Sequence, residues 1–325
     1  MPKVSVLVAV YNAEDFLPQC LDSLTAQSLE DIQVICVDDC STDGSLQLLR
    51  EYAAQDSRIE VIALSENQGQ AHARNKGLQY AKGDYICMLD ADDWFSSDAL
   101  EKAVATFDEN TDCVLFEVVM VYDSYREELY QMPAFESLTG TEAFMLSLDW
   151  QIHGLYMVRA GIHQQQPYDE TCRLYSDDNT TRLHYICSRR VRRCTGRYYY
   201  RQHEASATHR SSVRRFDYLR ANESMCRQMQ VMGVPQQILD EYENHRWLNL
   251  IGVYMFYFVH GRELSVADRQ YGLSELHRVW TSIDRRVLKK ETTAKFGYRP
   301  CMSWRMFRLQ EWLYFTLRRF LGKNY

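Results

Sequence analysis

Short apolar runs alternate with amphipathic segments along the first part of the chain. Strands are predicted for four such runs, at residues 4–10, 32–37, 59–64 and 85–89. The first is expected to be covered on both faces, and the second to be buried. Helices are predicted between them, where apolar residues recur at helical spacing, at residues 14–27, 45–55 and 70–81. Strands and helices that alternate in this way predict an α/β fold built on a mainly parallel sheet flanked by helices.

The pattern continues less regularly after the fourth strand. The further predicted elements are a helix begun by the cap pair Asp98 and Glu101, a strand at 113–121, a helix with the capping box Thr139 and Glu142, a helix at 176–188 and a strand at 192–200. From about residue 212 only helices are predicted. We therefore expect an α/β domain at 1–210, in two parts at 1–125 and 126–210, followed by a helical C-terminal region at 211–325.

Two of the predicted strands end in acidic residues. Asp38 and Asp39 follow the second strand, and Asp90, Asp92 and Asp93 follow the fourth. Ligands bind at the carboxyl ends of strands in open parallel sheets. The alternation of side chains along a strand would point Asp90 and Asp92 into one small space, where two like charges are unfavourable without a cation. Carboxylate oxygens suit Mg²⁺ or Mn²⁺, and the alternative is a solvated cluster of helix-capping aspartates.

Four motifs in order carry a family resemblance. They are VAVYN at 8–12, VDDCSTDG at 37–44, NQGQAHARNKG at 67–77 and LDADD at 89–93. Together they resemble the family-2 glycosyltransferases, which have the GT-A nucleotide-diphospho-sugar transferase fold. The resemblance is strongest over 1–125 and continues weakly to about 210. Cys40 stands where the family usually has Gly, and a small residue is retained.

The resemblance implies a function for the α/β domain. Family members transfer a sugar, with inversion, from a nucleoside diphosphate donor to an acceptor hydroxyl. It implies that 1–125 binds the donor, with UDP as the expected nucleotide, and that 126–210 forms the acceptor side. The expected acceptor is a glycan or a lipid-linked glycan, used in cell-surface polysaccharide or glycolipid synthesis.

The resemblance also assigns roles to residues on the donor side. Those expected to contact the donor are Ala9, Tyr11 and Glu14 beside the nucleoside, Asp39 at the base, Asn67 and Arg74 along the nucleotide, and Asp90 near the ribose. Asp90 and Asp92 are the expected metal ligands. The plain alternatives are that Tyr11 is a core aromatic and that Arg74 is a surface charge.

On the acceptor side, the family usually supplies the base for the acceptor hydroxyl from an acidic pair at a helix start. Asp178 matches the catalytic aspartate best and Asp177 is the second choice, whereas the alternative for both is a helix N-terminal cap. Arg201 or His203 would reach the diphosphate, with His203 as a further metal ligand or a structural histidine. Trp150 and His153 would form the acceptor wall, although Trp is also an ordinary core residue.

Charge is distributed unevenly around a net charge of −7. Residues 1–112 hold 7 Lys or Arg against 21 Asp or Glu, and residues 284–325 hold 11 against 3. The acidic total argues against nucleic acid as a partner. Within the basic tail, residues 303–321 form a two-faced helix with Met306, Leu309, Leu313, Leu317 and Phe320 on one face. We expect peripheral contact with an anionic membrane, and the alternatives are packing on the catalytic domain or a homodimer interface.

The remaining composition bears on location and on competing functions. The ten Cys residues stand singly without a Cys-x-x-Cys pair, and no signal peptide precedes the first strand. We therefore expect a cytoplasmic protein with reduced thiols, at the inner face of the plasma membrane. Nucleotidyl transfer on a related scaffold is an alternative that lacks its usual glycine-rich basic loop here. The other alternative is a catalytically degenerate module that binds a nucleotide-sugar.

Overall fold

The computed structural model of the 325-residue chain describes residues 2–123, 126–171, 175–202, 213–293 and 303–322, without the side chains of Asp123 and Ser176. The chain divides into two compact units. Unit 1 comprises residues 1–170 and 176–208, and unit 2 comprises residues 171–175 and 209–325.

Unit 1 is built on one sheet, in which the described residues form ten strands. The strands are β1 (Val4–Val10), β2 (Ile32–Asp38), β3 (Ile59–Ala63), β4 (Tyr85–Met88), β5 (Trp94–Phe95), β6 (Cys113–Asp123), β7 (Arg126–Leu129), β8 (Ser137–Thr139), β9 (Tyr156–Arg159) and β10 (Arg190–Arg201). Their order is β3-β2-β1-β4-β9-β6-β10-β5, with β7 beside β6 and β8 beside β10. Strands β3, β2, β1 and β4 are mutually parallel, and β6 is parallel to β10. The remaining pairs are antiparallel, so the predicted α/β sheet is present and is mixed beyond β4.

Helices cover both faces of this sheet. In unit 1 they are α1 (Leu17–Thr25), α2 (Ser45–Gln55), α3 (Gln70–Leu78), α4 (Ala99–Thr106), α5 (Gly140–Ser147), α6 (Ala160–Gln165) and α7 (Ser176–Cys187). Val4, Val6 and Val8 of β1 belong to the core that includes α1 and α4, whereas Leu7 belongs to the core that includes α3. Alternate side chains of one strand are thus buried on opposite faces, as the continuous apolar runs predict.

The two predicted helix caps have different outcomes. At α5 the capping box is present, since the Thr139 backbone N–H donates to Glu142 Oε2 at 2.8 Å and the Glu142 N–H donates to Thr139 Oγ1 at 3.3 Å. At α4 the prediction is wrong, because the Asp98 side chain makes no cap bond. Asp98 instead pairs with Lys102 at 2.6 Å, and Glu101 accepts a hydrogen bond from Ser28.

Unit 2 contains helices only, among its described residues from Val213 onward. A 3₁₀ turn at Val213–Phe216 leads into α8 (Asp217–Val231), α9 (Gln236–His260), α10 (Val266–Ser282), α11 (Lys290–Thr293) and α12 (Trp304–Phe320). The core of this unit is rich in aromatic side chains, among them Phe216, Trp247, Tyr254, Trp280, Phe307 and Phe315. Across the described part of the chain, every helix is too short or too polar to cross a membrane.

Candidate active site

The turns after β1 and β2 are joined at the carboxyl edge of the sheet. Asn12 has a positive φ of 49°, and its Oδ1 accepts a hydrogen bond from the Thr42 backbone N–H at 2.8 Å. Glu14 Oε2 accepts one from the Gly44 N–H at 2.8 Å. These bonds hold the two turns together and leave Tyr11 51% exposed beside them, so Tyr11 is not a core aromatic. Ala9 is half-buried at the end of β1.

Asp39 is buried at the end of β2 and holds the turn that precedes α3. Its Oδ1 accepts a hydrogen bond from the Gln68 backbone N–H at 2.9 Å, and its Oδ2 accepts one from the Gly69 N–H at 2.7 Å. Asn67 donates from its side chain to the Asp39 carbonyl at 3.2 Å. Asp39 therefore fixes the turn that leads into α3, and each carboxylate oxygen keeps a further lone pair for a ligand.

The acidic residues after β4 lie in a turn rather than on the strand. Strand β4 ends at Met88, and the Asp93 N–H donates to the Asp90 carbonyl at 3.0 Å. The strand alternation from which we expected Asp90 and Asp92 to point the same way is therefore absent. The turn itself keeps the aspartates near each other. As a result, the charges of Asp90 and Asp92 add to the effect of burial, which is the main cause that raises the pKa of Asp93 well above its usual range.

Strand β10 holds this acidic turn in place. Tyr198 is fully buried and donates from its hydroxyl to Asp93 Oδ2 at 2.7 Å. The Arg201 backbone N–H donates to Asp93 Oδ1 at 2.8 Å, and its Nε donates to the Asp92 carbonyl at 2.9 Å. The Arg201 guanidinium also lies over the Trp94 ring, 4.7 Å from its centroid. Arg201 is thus held against the acidic turn.

Arg74 of α3 joins the acidic turn to the start of α7. Its side chain is only 1% exposed, so it is not a surface charge. Its guanidinium lies 2.5 Å from Asp90 Oδ1 and 4.0 Å from Asp177 Oδ2, with the Tyr168 ring beneath it at 5.2 Å. Burial alone would lower the pKa of Arg74, but Asp90 and Asp177 raise it. The cation therefore stays charged between two carboxylates that are distant in the sequence.

Asp178 has the electrostatic environment of a general base. The pKa of Asp178 is raised to about 7, mainly by burial. The charge of Arg182 lowers this pKa, and the charge of Asp177 raises it. Arg182 is one helical turn further along α7, and its guanidinium lies 5.4 Å from the centroid of the Trp150 ring. A carboxylate that titrates near neutrality can accept a proton at the pH of the cell.

Residues 5–165 match the sequence model of glycosyl transferase family 2. The chain carries a family-2 glycosyltransferase domain. EpsH of Bacillus subtilis (strain 168) is 44% identical over 114 residues, which are 35% of this chain and 33% of EpsH. The poly(ribitol-phosphate) beta-glucosyltransferase of Bacillus spizizenii is 45% identical over 101 residues, or 30% of this chain and 16% of that protein. The chain thus spans a third or less of these two relatives.

Solved structures of the same fold cover the whole chain. Staphylococcus aureus TarS 1–349 in complex with UDP-GlcNAc superposes with a TM-score of 0.75 at 19% identity, over 99% of this chain and 92% of that one. At this level of identity the likeness shows the fold, which is the predicted GT-A fold with a helical C-terminal region.

The carboxylates of the acidic turn after β4 have the oxygen chemistry that a divalent cation prefers. Asp90 uses Oδ1 to accept hydrogen bonds from Gln70 and Arg74, and its Oδ2 accepts none from the described residues. The pKa of Asp90 is raised, mainly by burial. The charges of Asp92 and Asp177 also raise it, whereas the charge of Arg74 lowers it. Hard carboxylate oxygens crowded in this way fit Mg²⁺ or Mn²⁺. Among the described side chains, no group of three or more His, Cys, Asp or Glu is arranged to hold a metal, and the predicted ligand His203 lies outside the described residues.

The two predicted acceptor residues differ in exposure. Trp150 has a positive φ of 61° and is 45% exposed, so it is available to a ligand. His153 is buried, and burial lowers its pKa to about 4, so it is a neutral imidazole.

The sequence assigned no role to Asp93, Tyr198 or Gln70, which position the aspartates. Asp93 could have been identified, because it directly follows the acidic motif. The roles of Tyr198 and Gln70 have no sequence signal.

Proposed function

We propose that this chain is an inverting glycosyltransferase that moves a sugar from a UDP-linked donor to an acceptor hydroxyl. The observation that carries the proposal is the convergence of the acidic turn after β4 with the acidic start of α7 on one buried cation, Arg74. One site thereby holds donor-side carboxylates and a candidate base, which are the two requirements of the reaction.

On the donor side, we assign metal binding to Asp92 and Asp90, with His203 as a candidate further ligand. When bound, Mn²⁺ or Mg²⁺ would stabilise the negative charge that grows on the departing diphosphate. Arg201 lies against the Asp92 carbonyl and would contact the same phosphates. Ala9, Tyr11, Glu14, Asp39, Asn67 and Arg74 would bind the nucleotide. Of these, Tyr11 offers an exposed ring, and Asp39 offers lone pairs to a base N–H.

On the acceptor side, Asp178 would take the proton from the attacking hydroxyl. Its pKa of about 7 supports this choice over Asp177, which pairs with Arg74 instead. Trp150 would bind the acceptor through its exposed ring, and His153 would support that wall from beneath. Attack from the face opposite the diphosphate inverts the anomeric centre, and a single base is sufficient for it.

The nature of the donor and acceptor is supported by the relatives. TarS was solved with UDP-GlcNAc, and the Bacillus spizizenii relative is named as acting on poly(ribitol-phosphate). We therefore propose UDP as the nucleotide and a cell-surface polysaccharide or glycolipid precursor as the acceptor.

The test is a thermal-shift panel of nucleotide-sugars with and without Mn²⁺. A ligand at 100 times its Kd stabilises the folded state by about 2.7 kcal/mol, so the correct donor should raise the Tm only when the metal is present. Asp92→Asn should abolish this shift, and the matched control Asp31→Asn, at an exposed position before β2, should retain it. A metal-dependent shift that persists in Asp92→Asn would overturn the metal assignment. Donor binding without release of UDP in the presence of acceptor polysaccharide would favour the binding module.

A further inference from the structure

Helix α12 packs against the rest of unit 2 through one face only. Phe307, Glu311 and Phe315 are the buried residues of the helix. Phe307 contacts the rings of Trp247 and Tyr254, with centroids 5.6 and 5.7 Å apart. Ser303 caps the first turn by accepting a hydrogen bond from the Met306 N–H at 3.3 Å. The helix is therefore anchored in the aromatic core by its inner face.

The outer face of α12 carries a continuous apolar strip. Its members and their exposed fractions are Met306 49%, Leu309 49%, Leu313 53%, Leu317 54% and Phe320 85%. Their spacing of three or four residues places them along one side of the helix, opposite the buried face. The apolar face predicted from the sequence is thus exposed, and different residues make the intrachain packing. Large exposed apolar patches on a soluble protein mark a binding surface.

A basic flank runs beside this strip. Arg305, Trp312 and Arg319 are all exposed and follow one another at intervals of seven residues, so they share one side of the helix. Arg308 is also exposed, and its charge opposes the effect of burial, which raises the pKa of Tyr254. The acidic residue of α12 is Glu311, which is buried on the inner face. The exposed side of α12 therefore combines apolar, aromatic and positively charged groups, and within Trp304–Phe320 none of the exposed residues is acidic.

We propose that α12 lies in the interface of an anionic lipid membrane, with the apolar strip among the acyl chains and Arg305 and Arg319 at the headgroup phosphates. Interfacial helices have this division between an apolar face and an arginine-bearing flank, with Trp at the boundary. A second copy of the chain is a poorer occupant, because self-association through this face would bring the arginines of two copies together without acidic partners on the helix.

Two variants of the full chain separate the apolar and the electrostatic contributions. The flank variant is Arg305→Gln with Arg319→Gln, which leaves Arg308 in place. Its matched control is Arg227→Gln with Arg262→Gln, at exposed positions elsewhere in unit 2. The strip variant is Leu309→Ser with Leu313→Ser, and its control is Val231→Ser with Val266→Ser, which are 89% and 65% exposed.

The measurement is co-sedimentation with vesicles of phosphatidylglycerol or of phosphatidylcholine, at low and high salt. The full chain should pellet with phosphatidylglycerol at low salt and much less at high salt, because surface attraction is screened within about 10 Å at 0.1 M salt. Two arginines near the surface are worth about 25-fold in partitioning, so the flank variant should lose roughly that factor and its control should not. The strip variant should lose binding to phosphatidylglycerol at both salt concentrations, with a Tm equal to that of its control.

Several outcomes would overturn the proposal. They are a full chain that stays in the supernatant with phosphatidylglycerol, variants that pellet as well as their controls, and a strip variant that unfolds while its control does not. A full chain that sediments as a dimer without vesicles, and as a monomer in the strip variant, would assign the strip to self-association.

Discussion

At the end of β2, both carboxylate oxygens of Asp39 accept hydrogen bonds from backbone N–H groups of the turn between β3 and α3, whereas at the end of β4 the aspartates lie beside one another. The Asp39 carboxylate is satisfied by two backbone N–H groups that lie immediately before α3. Asp90 and Asp93 are held by side chains and backbone from α3 and β10 instead. The same residue type therefore builds a turn at one strand end and concentrates negative charge at the other.

This contrast implies that neutralising a carboxylate should have opposite effects at the two kinds of position. Where the charge is satisfied by the protein, its loss should cost stability. Where the charge is crowded by other carboxylates, or where the pKa of the carboxyl is raised, its loss should cost function and spare stability.

The largest expected effect is on turnover. Asp178→Asn should lower kcat by roughly two to four orders of magnitude, the range for loss of a general base, with donor affinity unchanged. Below pH 7 the kcat of the unmodified chain should fall with pH, because the pKa of Asp178 is about 7 and only the ionised form accepts a proton. The measurement is release of UDP against pH with a saturating donor. An inactive Asp177→Asn beside a nearly normal Asp178→Asn would assign the base to Asp177.

The next effect is on the stability of the β2 end. Asp39→Asn keeps the shape of the side chain but replaces one acceptor oxygen by a donor, which faces a backbone N–H. The free energy of unfolding should fall by about 1–3 kcal/mol, the cost of an unsatisfied buried group. Urea denaturation without metal or nucleotide measures it, with Asp31→Asn as the exposed control. Equal stability of the two variants would show that Asp39 does not hold the turn.

A comparable effect should appear in the pH dependence of stability. The raised pKa of Asp178 means that the folded chain keeps a proton which the unfolded chain releases, so the unfolding free energy contributed by this group falls from about pH 4 to about pH 7. Asp178→Asn cannot ionise. Its stability relative to the unmodified chain should therefore rise by about 1–3 kcal/mol between pH 5 and pH 8. Parallel stability curves for the two proteins would contradict the raised pKa.

The smallest effect concerns the β4 end. Without metal, Asp92→Asn relieves repulsion of Asp90 and Asp93 and should raise the unfolding free energy by about 0.5 kcal/mol, the scale of interactions between partly exposed charges. Urea denaturation beside Asp39→Asn gives the comparison directly. A loss of stability in both variants would remove the distinction between the two strand ends.

The sequence predicted the parts of this molecule that depend on local patterns. Strands β1 to β4 and the helices between them were found because each strand is a mainly apolar run, and Thr139 and Glu142 form the predicted capping box. The short strands β5 and β9 were missed. Strand β5 has two residues, and β9 is held between β4 and β6 by antiparallel pairing that a local pattern does not specify.

The candidate site also has parts that the sequence predicted and parts that it did not. The acidic motifs and the acidic start of α7 could be recognised as residues, but their relations depend on long-range contacts. Tyr198 reaches Asp93 from 105 positions away along the chain, and Arg74 reaches Asp177 through tertiary packing. The expected strand geometry of Asp90 and Asp92 failed because the chain turns immediately after β4.

Arg74 has a thermodynamic consequence for the site. A single buried cation shared by Asp90 and Asp177 makes these two carboxylates competitors for one counter-ion. A cation bound to Asp90 would neutralise part of the charge of that carboxylate. Arg74 would then interact more strongly with Asp177 at the start of α7. Linkage requires the reverse effect to be equally large, so a change of charge at the start of α7 would alter the affinity of the acidic turn for a cation. The charges at the end of β4 and at the start of α7 are therefore coupled through one guanidinium.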